Sequence, residues 1–299
     1  MGRTSKIVRR SIFSFLQNYQ YFTLTPALLA FPYAVSTLLT QSLIPSLPLL
    51  PIVHGRLRSL FLAAGFPPSS QLFAILNLKL SQTILTFLFV CPFSFSFLLL
   101  AKASIIRFLK PPKQPSLSSL FSPLLITQLC NSIVIITTNS TCFFLLVIFF
   151  NFFEFFELSS PRTLLFISII GAIFYSIILA NAYIICNLAL VSSGMDQHGG
   201  FLSILKACVL LQGRIAVALS LVVPINLSLA AIEALFQYRI IRNFHRSMAP
   251  DLAMLLEGLL IAYLYALILV LDTVVGCMLW RSCKKDQKER YFLHIEMLP

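Results

Sequence analysis

Charge is what this chain has least of. Asp and Glu number only 10 in 299 residues, and all charged residues together reach 11%. A soluble domain spends about a quarter of its residues on Asp, Glu, Lys and Arg, so this composition cannot cover a water-facing surface of ordinary extent. Glycine is also scarce, with 10 scattered residues, and no P-loop or GxGxxG turn that could cradle a phosphate occurs. GxSxG and HExxH are missing too, which removes the best-marked nucleophile and zinc signatures. The histidines, His54, His198, His245 and His294, are dispersed, with no two at ligand spacing in one helix. Cys91, Cys130, Cys142, Cys186, Cys208, Cys277 and Cys283 form no CxxC pair; they read as small apolar packing residues. Nothing here points to catalysis, so the chain is read as no enzyme, with no metal and no cofactor.

Apolar residues are what it has in plenty, at 58% of the chain with a mean hydropathy of +0.91. That is the composition of a chain whose solvent is lipid. The expected fold is all-α: a polytopic membrane helix bundle of about six transmembrane helices with amphipathic interfacial helices. The spans are read at 21–44, 80–101, 124–153, 164–191, 215–236 and 252–280. They leave no soluble domain, because no connector is long enough to bury a core of its own.

Residues 1–20 form a basic amphipathic segment in which Val8, Ile12, Phe15, Leu16 and Tyr19 share one helical face. No compact apolar core with a cleavage site follows it, so the first span is expected to act as an uncleaved signal anchor. Residues 54–77 carry Arg56, Arg58 and the breaker GFPPSS, which predicts two short helices about a turn. The phenylalanine-rich run CFFLLVIFFNFFEFFE closes span three and is expected to face lipid. After span five, Ile240, Ile241, Phe244 and Met248 oppose Arg239, Arg242, Asn243 and Arg246, predicting a basic helix on the membrane surface whose Arg239, Arg242 and Arg246 contact head groups. Trp280 sits where an interfacial anchor belongs, followed by the basic tail 281–299.

The net charge of +12 is carried by bases that flank the spans. They suit anionic head groups, and no separate basic module exists for nucleic acid. With the amino terminus inside, 15 of the 22 Lys and Arg fall on the cytoplasmic side and 7 outside, so both termini are expected in the cytoplasm. The organelle is left open between the endomembranes and the plasma membrane. PSLSSL at Pro115–Leu120 and GFLSIL at Gly200–Leu205 suggest a weak parallel repeat.

Ionisable groups inside a membrane are functional candidates by default, because burying a charge in lipid costs several kcal/mol without a partner or water. Three carboxylates qualify: Glu233 in span five, and Glu257 and Asp272 in span six. Glu233 and Glu257 are expected near Arg239 or Arg242, and Asp272 within reach of Arg214 or Lys206. They could line a path for a proton, cation or substrate, or hold helices together. Polar side chains also line span three (Gln128, Asn131, Asn139 and the threonines around it) and span four (Asn181 and Asn187). Such groups commonly bond between packed helices. The sequons Asn139-Ser140-Thr141 and Asn226-Leu227-Ser228 fall within spans and are read as unused.

The stretch ANAYIICNLALVSSGMDQHGGFLSILKACVLLQGR, Ala180–Arg214, resembles a pattern from a large plant family of multi-pass membrane proteins. A span ends in small and β-branched residues, a Gly-containing turn follows, then a helix marked here by Ser203, Lys206, Leu210 or Leu211, and Gly213. The turn Asp196-Gln197-His198 departs from the pattern, where relatives commonly carry Glu or Pro. More distantly the chain is similar to the membrane domain attached to some bacterial glycerophosphodiester phosphodiesterases, without the soluble barrel that carries their chemistry. The resemblance implies a six-span topology and carries over no activity. The reading from sequence is thus a non-catalytic membrane component that binds or organises anionic lipids or other membrane proteins. The alternative is a channel or secondary transporter using the intramembrane carboxylates.

Overall fold

A computed structural model describes residues 2–63, 71–110, 116–155, 161–247 and 252–296. Every regular element among them is helical. Six helical stretches are long and apolar enough to cross a membrane: Tyr19–Thr40, Asn77–Leu109, Leu117–Leu146, Ile169–Asp196, Ile215–Phe244 and Leu252–Gln287. Helices satisfy their own backbone donors and acceptors, which lipid cannot do for them. The chain is an all-α, multi-pass integral membrane protein.

Helix α1 (Gly2–Gln17) turns inward on Ile7 and Ser11, one helical turn apart, and leaves Val8, Ile12, Phe13 and Leu16 exposed. The apolar face marked by the sequence is therefore the one left open to the surroundings. Helix α2 (Tyr19–Leu43) contains Pro26 and Pro32 without ending at either, and a 3-10 turn at Ile44–Ser46 leads to α3 (Leu49–Ala63).

The two short helices expected over 54–77 are not both found. The first is α3, and the GFPPSS breaker lies outside the described residues. The second is no separate element: α4 starts at Gln71 and runs unbroken to Phe93, because neither Gly nor Pro occurs between Gln71 and Pro92. Beyond Pro92 the chain widens into a π-helical turn, Ser94–Leu98, then resumes as α5 (Leu99–Leu109). A proline removes one backbone donor and crowds the preceding turn, and wide turns commonly absorb that defect.

Helices α6 (Leu117–Phe155) and α7 (Pro161–Asp196) are 39 and 36 residues long. At 1.5 Å per residue they reach roughly 55 Å, well beyond a hydrocarbon layer of about 30 Å. Pro161 opens α7 at the position where its missing N–H costs nothing. The short α8 (Phe201–Leu211) follows a turn, then α9 (Ile215–Phe236). The surface helix expected at Arg239–Arg246 is instead a continuation of span five. A π turn at Gln237–Ile241 joins α9 to α10 (Arg242–Ser247), since no helix breaker intervenes. Helix α11 (Leu252–Glu296) carries span six through Trp280 and on through the basic tail. The suggested repeat also diverges: Leu117–Leu120 opens the long α6, whereas Phe201–Leu205 opens an eleven-residue helix.

The chain divides into two compact units. One comprises Met1–Asn18, Ala103–Ile225 and Leu271–Pro299; within it α6 packs along α7, and α8 packs against both. The other comprises Tyr19–Lys102 and Asn226–Val270, with α2 and α3 packed on α4. There Tyr263 Oη donates to the Thr23 carbonyl at 3.1 Å, tying α11 to α2.

Outward faces are apolar. On α6 they include Ile126, Leu129, Ile133 and Ile136 at helical spacing, then Phe144, Leu145, Ile148 and Phe152. Of the phenylalanine-rich run, Phe144, Phe149 and Phe152 point away from the protein, as a lipid-facing surface requires. Among the cysteines, Cys130, Cys142, Cys186, Cys277 and Cys283 are buried as free thiols.

Candidate functional site

A line of polar groups crosses three helices inside the first unit. Asn131 on α6 donates its Nδ2 hydrogen to the Cys186 carbonyl on α7 at 2.8 Å. The next residue, Asn187, donates from Nδ2 to Asp272 Oδ2 on α11 at 3.0 Å. Asn131 and Asp272 are 3% and 5% exposed, so the line runs through protein and not along the lipid face. Asn131 Oδ1 is buried with no hydrogen-bond partner among the described residues. Farther along the same pair of helices, Tyr175 Oη donates to Asn139 Oδ1 at 2.6 Å. Asn181 is only half buried and joins none of these contacts.

This geometry corrects the expected neighbours of Asp272. Arg214 pairs instead with Asp286 at 2.5 Å, and Lys206 with Asp196 at 2.5 Å. Asp272 lies nine residues before Arg281 on one continuous helix, about 14 Å along its axis. The partner shown for the carboxyl at that depth is the side-chain amide of Asn187.

The second constellation gathers where α5, α7, α8 and α11 present charged residues. Asp196 ends α7, and Gln197 then takes a left-handed backbone (φ 58°), followed by Gly200 (φ 84°). This tight reversal seats α8 against α6: the Gly200 N–H donates to Thr127 Oγ1 at 3.0 Å, and Ser203 Oγ donates to the His198 carbonyl at 2.5 Å. A Cβ on Gly199 would stand 2.8 Å from the Pro123 carbonyl oxygen, so only glycine allows the approach. The reversal delivers Lys206 to Asp196 Oδ2, while Lys284 from α11 reaches Asp196 Oδ1 at 2.8 Å. Arg281 donates to the Leu109 carbonyl, which fixes the end of α5 beside α11.

Lys110 follows directly. Partial burial pulls its ammonium below the usual lysine range, with Asp196 opposing that shift and Lys284 reinforcing it. Trp280 is buried beneath Lys284, whose Nζ stands 4.4 Å from the ring centroid. Its indole N–H has no hydrogen-bond partner among the described residues. The expected interfacial anchor is therefore a packed residue under a cation. Asp196 was visible in sequence only as a departure from a pattern; the signal for its role was its place just before the Gly199-Gly200 turn, with Lys206 ten residues on.

In the second unit Glu233 and Glu257 take different partners. Glu257 pairs with Arg239 at 3.4 Å, both half exposed. Glu233 accepts from Tyr265 Oη at 2.9 Å, so the partner shown for it is a tyrosine of α11 where the sequence suggested an arginine. Arg242 lies over the Tyr238 ring at 5.4 Å. Tyr238, Arg239, Arg242 and Asn243 line an open recess of about 230 Å³. Arg246 belongs to α10.

Residues 116–291 match the model of a family described as "Domain of unknown function (DUF8558)". The match covers more than half of the chain and contains Asn131, Asn187 and Asp272 as well as Asp196, Lys206, Trp280 and Lys284, with Lys110 before its start, and the chain belongs to that family. No curated protein and no solved structure matches it.

Proposed function

We propose that this member of the DUF8558 family is a non-catalytic membrane component that contacts anionic lipid head groups and organises lipid or protein neighbours around its helices. The observation that carries this reading is the open recess at the end of span five, lined by Tyr238, Arg239, Arg242 and Asn243. Guanidinium forks match phosphate and carboxylate oxygens, and tyrosine suits the head-group layer. The single Glu257 carboxylate offsets only part of the charge of Arg239 and Arg242. The basic flanks of the spans add to the attraction for anionic lipid.

The test is boundary-lipid selectivity. The full chain and an Arg239→Gln/Arg242→Gln/Arg246→Gln variant are reconstituted in phosphatidylcholine vesicles with spin-labelled phosphatidylserine or phosphatidylcholine. The native chain is expected to prefer the anionic probe and the variant to lose most of that preference. Equal selectivity in the two proteins overturns the reading.

The transport alternative draws on a different observation, the buried line from Asn131 to Asp272, which lies away from the ends of its helices. It requires an ion or proton flux that Asp272→Asn abolishes while folding is retained. Flux absent from the native chain, or unaltered in the variant, removes it.

A further inference from the structure

The charged end of the first unit has a positive excess on one spot. Two ammonium groups, Lys206 and Lys284, bind the carboxylate of Asp196, and Lys110 lies within electrostatic reach of Asp196 and Lys284, an excess of two positive charges over that carboxylate among the described residues of the cluster. Lys206 and Lys284 bind opposite oxygens of that carboxylate, so their ammonium groups are held within one side chain's width of each other. Both remain more than 40% exposed, open to a ligand, whereas Asp196 itself is largely covered. Lys110 is brought in by a separate contact, the Arg281 hydrogen bond to the adjoining Leu109 carbonyl. Beneath Lys284 lies a buried indole N–H with no acceptor among the described residues. Asp196 balances one of these charges, and the rest repel one another unless a second anion sits among them.

We propose that Lys110, Lys206 and Lys284, organised by Asp196 over Trp280, form a binding site for a phosphate monoester, supplied by a membrane lipid head group or by a soluble phosphoester. A monoester carries about −1.5 to −2 at neutral pH, which matches the excess. A phosphodiester head group carries a single charge and leaves part of that excess unbalanced. Asp196 acts as a spacer that keeps the ammonium groups converged when the ligand is away. The site stands apart from the recess at Tyr238–Asn243: different residues build it, and different variants test it.

Trp280 makes the test local, because it is the only tryptophan in the chain. The full chain is reconstituted in phosphatidylcholine vesicles, and Trp280 emission is followed as phosphatidic acid replaces part of the lipid. Phosphatidylglycerol at the same fractions controls for surface charge. Glycerol phosphate added to lipid-neutral vesicles forms the soluble arm. A saturable change with phosphatidic acid and none with glycerol phosphate assigns the site to a lipid; a saturable change with glycerol phosphate assigns it to a soluble ester. In the responding arm, Lys206→Gln/Lys284→Gln is expected to weaken binding by about tenfold or more.

Because that variant also strips the cation from the indole, Lys110→Gln, which leaves the Lys284 cation over the ring in place, is measured beside it and is expected to bind several-fold more weakly. Silence of the native chain in both arms overturns the proposal. So does an equal response to phosphatidylglycerol, or native-like binding by the folded Lys110→Gln chain.

Discussion

Asn187 and Asp272, 85 residues apart in sequence, meet at 3.0 Å between α7 and α11, amide hydrogen to carboxyl oxygen. The contact gives a nearly inaccessible carboxyl a donor inside the protein and locks the rotation of one long helix against the other. Polar contacts between membrane helices are worth about 0.6 kcal/mol on average and up to about 2 kcal/mol. A contact to a carboxyl at this depth belongs at the upper end.

Asn187→Leu is therefore expected to destabilise the protein by about 1–2 kcal/mol, read as a lowered unfolding midpoint in a detergent titration. In a chain stripped of its native cysteines, Asp272→Cys is expected to resist a charged, membrane-impermeant thiol reagent, with Glu257→Cys labelling readily. Asp272 is 5% exposed, whereas the Glu257 side chain is 38% exposed. Rapid labelling at 272 would show an aqueous path along the polar line and advance the transport alternative.

Gly199 and Gly55 offer a matched pair. At Gly199 an added Cβ meets the Pro123 backbone from 2.8 Å, and backbone cannot step aside as a side-chain tip can. Gly55, inside α3, has nothing within 4 Å of the same construction. Gly199→Ala should cost about 1–3 kcal/mol by overpacking, and Gly55→Ala should be neutral or gain up to about 1 kcal/mol from helix propensity. Paired thermal melts in one detergent check the contrast; equal melts would mean that α8 does not sit on α6 at this distance.

Backbone handedness predicts opposite signs at two turns. Gln197 holds a left-handed conformation (φ 58°) without being glycine, and Gly213 holds one (φ 77°) in open space. The left-handed region costs a residue bearing a Cβ roughly 1–2 kcal/mol. Gln197→Gly should recover part of that and raise the melting temperature, whereas Gly213→Ala should lower it without any steric clash.

Arg214 and Asp286 form the most enclosed ion pair among the described residues, at 2.5 Å and with 15% and 23% of their side chains exposed. It ties the residue before α9 to the extension of α11. Arg214→Gln and Asp286→Asn, alone and together, should give a coupling energy of about 1–2 kcal/mol in a double-mutant cycle. The same cycle on Arg239 and Glu257, at 3.4 Å and with 56% and 38% exposed, should return under about 1 kcal/mol because solvent screens it.

Span count and class were legible without coordinates because both rest on one-dimensional quantities. Long stretches of apolar residues answer to the thickness of a hydrocarbon layer, and lipid admits helices and excludes open strands. Helix ends were less legible. Span two was read as ending at Ala101 and runs to Leu109, and the basic segment after Phe236 was read as separate and is joined to α9. Hydropathy falls wherever charge enters, but a helix continues until a breaker stops it.

The sequence by itself determined that this chain lives in a membrane, how many times it can cross, and that its few ionisable groups would need partners. Only the tertiary structure decided who those partners are. Asp272 meets Asn187, Arg214 meets Asp286, and Asp196 collects Lys206 and Lys284 from 10 and 88 residues away. The reason is geometric. Apolar composition fixes how deep a residue sits, but lipid is equally apolar on every side of a helix. Rotation about the helix axis, and so the choice of neighbour, is set by close-packed contacts such as Gly199 on Pro123 and Gly194 on Ile106, which no pattern along one strand of sequence records.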